Sequence, residues 1–343
     1  MRALKTTRPA WLLLLLGLCS CGTPTDPVGP SPPPPVPAAP YRVVVLRLGG
    51  ESDPAEIPVS SLKEGMKLFQ FTEGSHYRLE TIDLGGDLES APERLERAVR
   101  DGSDLIVVTH PAVLRALASR EVGRPLVFGI VGDPLAMGVK EAAAQRPPGV
   151  TGAFNPLPAA GLLTLVKFHL PGAKRVGVAF NGADPLSVSH KDALVGESQK
   201  AGLEVVAVDV GGGEGEPSAA IEGLFGEPRD AVCLTIGLGA SASPLLERAA
   251  RAKVPVFGRD EDQVREGAFA AEAPKVDQIG LEAGRLVYRI LAGEAPTDIP
   301  FARIDGVEPI VNTKVAEALG IELSPSALRI SRAIGGDPSA PTD

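Results

Sequence analysis

A chain of 343 residues is long enough to bury two sizeable cores, and a hydrophobic share of 44% is ordinary for a globular protein. The formal net charge of −9 argues against a nucleic-acid partner. The four histidines, His76, His110, His169 and His190, show no metal-ligand spacing, and Ser187, Ser189 and Ser241 lack a G-x-S-x-G elbow; no catalysis and no cofactor are expected.

Met1 to Arg8 is basic, and Trp11 to Leu18 is an apolar run too short for a spanning helix of about 20 residues. Residues 1–20 therefore read as a secretion signal. The stretch Leu18-Cys19-Ser20-Cys21-Gly22 resembles a bacterial lipobox, with Cys21 as the lipidated residue after small Ser20. Cys19 fits poorly, because Leu18 would occupy the cleavage position; a plain secretion signal is the alternative. Losing Arg2, Lys5 and Arg8 leaves the mature chain more acidic still. Residues 21–40 are a Pro-rich tether favouring extended polyproline II. Cys233 lies in an apolar strand and reads as a small core residue.

From Tyr41 onward, strand and helix signals alternate, as in a parallel sheet with crossover helices. Strands are predicted at Arg42–Leu48, Tyr77–Asp83, Leu105–Val108 and Leu126–Val131, with helices near Ser60–Phe71, Ala91–Asp101 and Pro111–Ser119. A second set follows: strands Arg175–Ala179, Glu204–Val208, Ala231–Thr235 and Val256–Phe257, with helices near Ala159–His169, Pro185–Ala201 and Pro244–Ala252. Val276–Ala292 is an amphipathic helix, and Pro300 to Asn312 looks extended.

The two sets are one pattern used twice. Asp104 to Thr109, His110-Pro111 and Arg124 to Gly129 match Asp230 to Ile236, Ser243-Pro244 and Lys253 to Gly258. A period of about 130 residues is a duplicated domain, since solenoid periods run roughly 20–50. The expected fold is α/β: two Rossmann-like lobes with parallel sheets and covering helices. The first lobe is assigned 41–153 plus about 272–299, the second 154–271 plus about 300–330, and 331–343 a disordered tail.

Ligands of open α/β sheets bind beyond the strand C-termini. That brings forward Thr109 and His110, Gly132 and Asp133, Asn181, and Asp260. Thr109 and Ser241 precede helix starts, where free N–H groups attract a carboxylate. Asp133 and Asp260 match in the repeat, and each can be either a partner for a ligand ammonium or a helix N-cap. Gly237-Leu238-Gly239-Ala240-Ser241-Ala242 matches the dinucleotide fingerprint G-x-G-x-x-A. It sits on the third strand of the second set rather than opening the first unit, which argues against dinucleotide binding.

With these residues in view, the chain resembles the periplasmic substrate-binding lipoproteins of ABC transporters, type I fold, in the branch that includes tryptophan- and tyrosine-type binders. Gly132-Asp133-Pro134, Gly149-Val150-Thr151-Gly152, Leu170-Pro171-Gly172-Ala173, Pro255 to Asp260 and Ile310 to Lys314 carry the resemblance. It implies two lobes that close like a Venus flytrap on a ligand, delivery to a membrane permease, and cleft positions for Thr109, Asp133, Asn155, Asn181 and Asp260. Where relatives carry polar residues after the third strand of the second lobe, this chain has Ile236-Gly237-Leu238-Gly239.

The expected function is capture of a small polar or amino-acid-like ligand by a monomer held in the cell envelope through a lipid anchor, on the outer membrane if there are two. Sugars fit less well, because no tryptophan follows Trp11 to stack on a ring. A sensor or protein-interaction module on the same fold is the first alternative, a dinucleotide-binding enzyme the second.

Overall fold

The structure is a computed structural model that describes residues 35–49, 53, 55–140, 147–211 and 217–335. The chain divides into two units, Met1–Pro32 and Pro33–Asp343, and all described residues fall in the second. The expected signal and Cys21 lie outside the described residues.

The first lobe runs β1 (Tyr41–Arg47), α1 (Val59–Lys67), β2 (Tyr77–Asp83), α2 (Ala91–Arg100), β3 (Leu105–Val108), α3 (Pro111–Leu117), β4 (Leu126–Val131) and β5 (Val150–Asn155). The second runs α4 (Ala159–His169), β6 (Arg175–Phe180), α5 (Pro185–Ser198), β7 (Glu204–Asp209), α6 (Pro217–Leu224), β8 (Ala231–Leu234), α7 (Ala242–Ala252), β9 (Val256–Gly258), α8 (Glu261–Glu266) and β10 (Ala270–Pro274). After these come α9 (Val276–Leu291), β11 (Ala302–Arg303), β12 (Val307–Asn312), α10 (Thr313–Leu319), α11 (Pro325–Ile330) and β13 (Arg332–Ile334).

The first sheet has the order β11-β5-β4-β3-β1-β2 and the second β13-β12-β10-β9-β8-β6-β7, so both are wound alike. Every described pair is parallel except β10 with β12. Both faces of each sheet are covered, which is why the central strands read as unbroken apolar runs. In β1, Val44 and Leu46 enter one core and Val43 and Val45 the other. Cys233 is wholly buried in β8, where burial pushes its thiol up to about 12 and leaves it unreactive.

The late segments cross back, and three expected boundaries shift. Asn155 ends a first-sheet strand, β10 keeps 270–274 in the second sheet, and β11 returns 302–303 to the first. β13 pairs with β12 through Ile310–Arg332, Val311–Ala333 and Asn312–Ile334, so the start of the expected disordered tail is an edge strand. Its side chains are exposed or half-buried and show no apolar alternation; besides the backbone ladder, Ile334 packs against an apolar cluster of the second lobe and Arg332 pairs with Glu308 at 2.9 Å. The sequence also hides β5: Gly152 weakens strand propensity, yet a Cβ there would lie 2.4 Å from the Phe128 ring. Helix α9 joins the first lobe because glycines admit it, a Cβ on Gly65 falling 2.1 Å from the Leu281 carbonyl and one on Gly284 2.1 Å from that of Leu62.

Candidate functional site: the cleft between the lobes

The chain passes between the sheets three times, after β5, after β10 and between β11 and β12. These crossings share one node. The Gly306 carbonyl accepts Asn155 Nδ2 at 3.0 Å and the Lys275 N–H at 3.0 Å. Asn155 Oδ1 also accepts the Leu157 N–H at 2.9 Å. Asn155 is fully buried and binds the hinge together; it does not line the cleft.

Above this hinge lies a cavity of about 680 Å³ between the lobes, within the usual range for small-ligand pockets. Of the candidate residues, His110, Gly237 and Asp260 line it. His110 Nδ1 accepts the Ala112 N–H at 3.1 Å, capping α3, so Nε2 carries the hydrogen and faces Asp53 Oδ2 at 3.4 Å. That contact holds the Asp53 carboxyl below its usual range.

Asp260 takes the capping role and also lines the cavity. Its Oδ1 accepts the Gln263 N–H at 2.8 Å, capping α8, while Gln263 Oε1 accepts the Arg259 N–H at 2.7 Å, a variant of the capping box. Burial, with Asp262 and Glu266 close by, pushes the Asp260 carboxyl up to about 6. Both neighbours line the same second-lobe wall.

The other candidates stand behind this surface. Thr109 is buried, and its Oγ1 donates to the Leu46 carbonyl at 3.3 Å. Thr235 repeats the bond in the second lobe, donating to the Ala179 carbonyl at 3.1 Å. The shared position in both repeats marks a strand-end lock, a signal already present in the duplication. Asp133 turns the chain after β4 by accepting the Leu135 N–H at 2.8 Å, the cap-like role. Asn181 Nδ2 braces the Gly237 carbonyl at 3.0 Å, and Ser241 Oγ donates to the Val210 carbonyl at 2.8 Å. Gly132, at φ +110°, would press a Cβ to 2.4 Å from Leu186 Cδ1 across the lobe boundary.

The glycine-rich turn is shaped by a carboxylate rather than for a phosphate. A Cβ on Gly237, whose φ is +74°, would fall 2.0 Å from Asp184 Oδ2. Sequence reading passed over Arg115, Asp184, Leu186, Met137, Asp262 and Glu266, all of which line the cavity. Arg115 and Leu186 lie on helices, and neither bears a local pattern that separates a cleft residue from a surface or core one.

A family model described as ABC transporter substrate binding protein matches residues 51–333. A tyrosine-binding protein of Clostridioides difficile (strain R20291) is 26% identical over 253 residues, covering 74% of this chain and 73% of its own. Among solved structures, an ABC domain in complex with L-Trp from Streptococcus pneumonia has a TM-score of 0.68 at 22% identity, covering 85% of this chain and 100% of its own. The ligand-free, open structure of a substrate-binding protein with adhesive properties from Clostridium difficile has a TM-score of 0.71 at 24% identity, covering 87% and 100%. These likenesses give the two-lobed Venus flytrap architecture.

Proposed function

This chain belongs to the ABC transporter substrate-binding proteins, a family of solute binders and not of enzymes, and we propose that it captures an amino-acid-like ligand in the interlobe cavity. The observation that carries the reading is the charge of the cavity walls. Asp260, Asp262 and Glu266 line the second-lobe wall without an ion pair among the described residues, a setting for a ligand ammonium. Arg115 lines the first-lobe side, and the N–H donors outside its Nη1 contact with Asp184 can receive a carboxylate. Leu48, Val131, Met137 and Leu238 leave apolar surface for a side chain. The relative named for tyrosine supports an amino acid as the ligand class.

On this reading the ligand is handed to a membrane permease by a monomer. Cys21 supplies the lipid anchor at the outer face of the cell envelope, on the outer membrane where there are two, and residues 21–40 hold the lobes off the surface.

Mass spectrometry of the small molecules that copurify, followed by calorimetric titration with amino acids, tests the reading. One-site binding of an amino acid is the expected result. Binding of a neutral sugar and of no amino acid would overturn it.

A further inference from the structure

The lobes touch beside the cavity through groups that no ligand has to supply. Asp184 Oδ1, from the second lobe, stands 3.6 Å from Arg115 Nη1 on α3 of the first, with the Asp184 side chain half-buried and that of Arg115 exposed. The same oxygen accepts the Leu186 N–H at 3.1 Å as the N-cap of α5, so its own helix fixes where it points. Leu186 is only 6% exposed and belongs to a first-lobe apolar cluster that includes Leu114 and Met137. Its seat is the missing side chain of Gly132. Ile236 follows β8 and packs against apolar clusters on both faces of the first sheet. The Gly237 turn that follows it lies against Asp184.

We infer that Arg115–Asp184, Leu186 and Ile236 form a latch that holds the lobes together before any ligand arrives. An exposed ion pair adds little by itself and is screened by salt. Withdrawing two aliphatic side chains from water is the stronger, undirected attraction, and the ion pair sets the register in which they dock. The closed form is then already populated, and the ligand selects it. The latch thereby sets the apparent affinity through the share of molecules ready to bind. Ile236 and the two flanking glycine turns acquire a role that ligand contact alone does not give them. The inference concerns the same cavity but does not depend on the ligand class.

Hydrogen–deuterium exchange of the full chain in detergent, stripped of ligand by unfolding and refolding, tests it. Leu186→Ala and Arg115→Ala should each speed exchange in segments 110–118 and 235–239, by about tenfold for Leu186→Ala (~1.4 kcal/mol) and less for Arg115→Ala. The strands β3 and β8 should keep wild-type protection. Arg115→Lys should restore protection, because it keeps the charge. Unchanged exchange in those segments for both alanine variants would overturn the latch, and a lysine variant that behaves like Arg115→Ala would overturn its ionic part. Should Leu186→Ala lose protection throughout the second lobe, Arg115→Ala, which leaves the α5 cap intact, decides alone. No ligand is present in any arm, so a failed amino-acid titration would leave the result standing.

Discussion

Arg259 Nη1 donates to Glu272 Oε2 across 3.1 Å, with both side chains shut inside the second lobe. Burial pulls the Arg259 guanidinium down and the Glu272 carboxyl up, against the opposite pull of each group on the other. Gly161 on α4 makes room for the pair, since a Cβ there would lie 2.0 Å from Glu272 Oε1. Removing one partner strands a buried charge. Glu272→Ala should cost about 3–5 kcal/mol, while replacing both residues by methionine should recover most of that loss. A double-mutant cycle by urea unfolding measures it; a loss under about 1 kcal/mol for Glu272→Ala would mean that water reaches the guanidinium.

Asp260 links ligand binding to pH. A carboxyl raised to about 6 binds its proton more tightly in the folded protein than in the unfolded chain. Stability therefore falls as pH rises from about 4 to 6, and the cost, of order 3 kcal/mol, is fully present above that window. A ligand ammonium favours the ionised form, so its affinity should weaken as pH drops below about 6, by up to roughly tenfold per unit. Asp260→Asn keeps a capping side chain and should flatten both slopes. Asp260→Ala loses the cap as well, which costs about 1 kcal/mol of stability relative to Asp260→Asn, and should weaken an amino acid by about 30- to 150-fold. Titrations at pH 5 to 8 check these slopes, and a pH-independent dissociation constant would remove Asp260 from the site.

Gly65 reverses a common expectation. Glycine to alanine in a helix interior ordinarily stabilises by about 1 kcal/mol. Here the new Cβ would meet the Leu281 backbone at 2.1 Å, and a backbone carbonyl cannot swing aside. Gly65→Ala should destabilise by roughly 2 kcal/mol as α1 and α9 are forced apart. Thermal unfolding gives the sign directly.

Anchoring is tested apart from the fold. Cys21→Ser should release the protein from the membrane fraction, and Cys19→Ser should not. Equal retention of the two variants would exclude Cys21 as the lipidated residue.

The duplicated strand-loop-helix pattern, the buried central strands and the cap at Asp260 are legible in the chain because each is written within a dozen or so neighbouring residues. Apolar runs specify strands covered on both sides, and a polar residue ahead of a helix start specifies a cap. Which strand-end residues face the ligand is not written that way. Thr109 and Asn181 occupy the expected loops, yet their hydrogen bonds turn them back into their own lobe. Asn155 is taken up by the hinge because Gly306, about 150 positions later, brings its carbonyl alongside. The meeting of Arg115 with Asp184, and of Gly132 with Leu186, exists only because the chain crosses between its sheets three times and lays one lobe against the other. Local sequence determined the elements. Long-range docking, driven by burial that carries no sequence address of its own, decided which of their ends became the site.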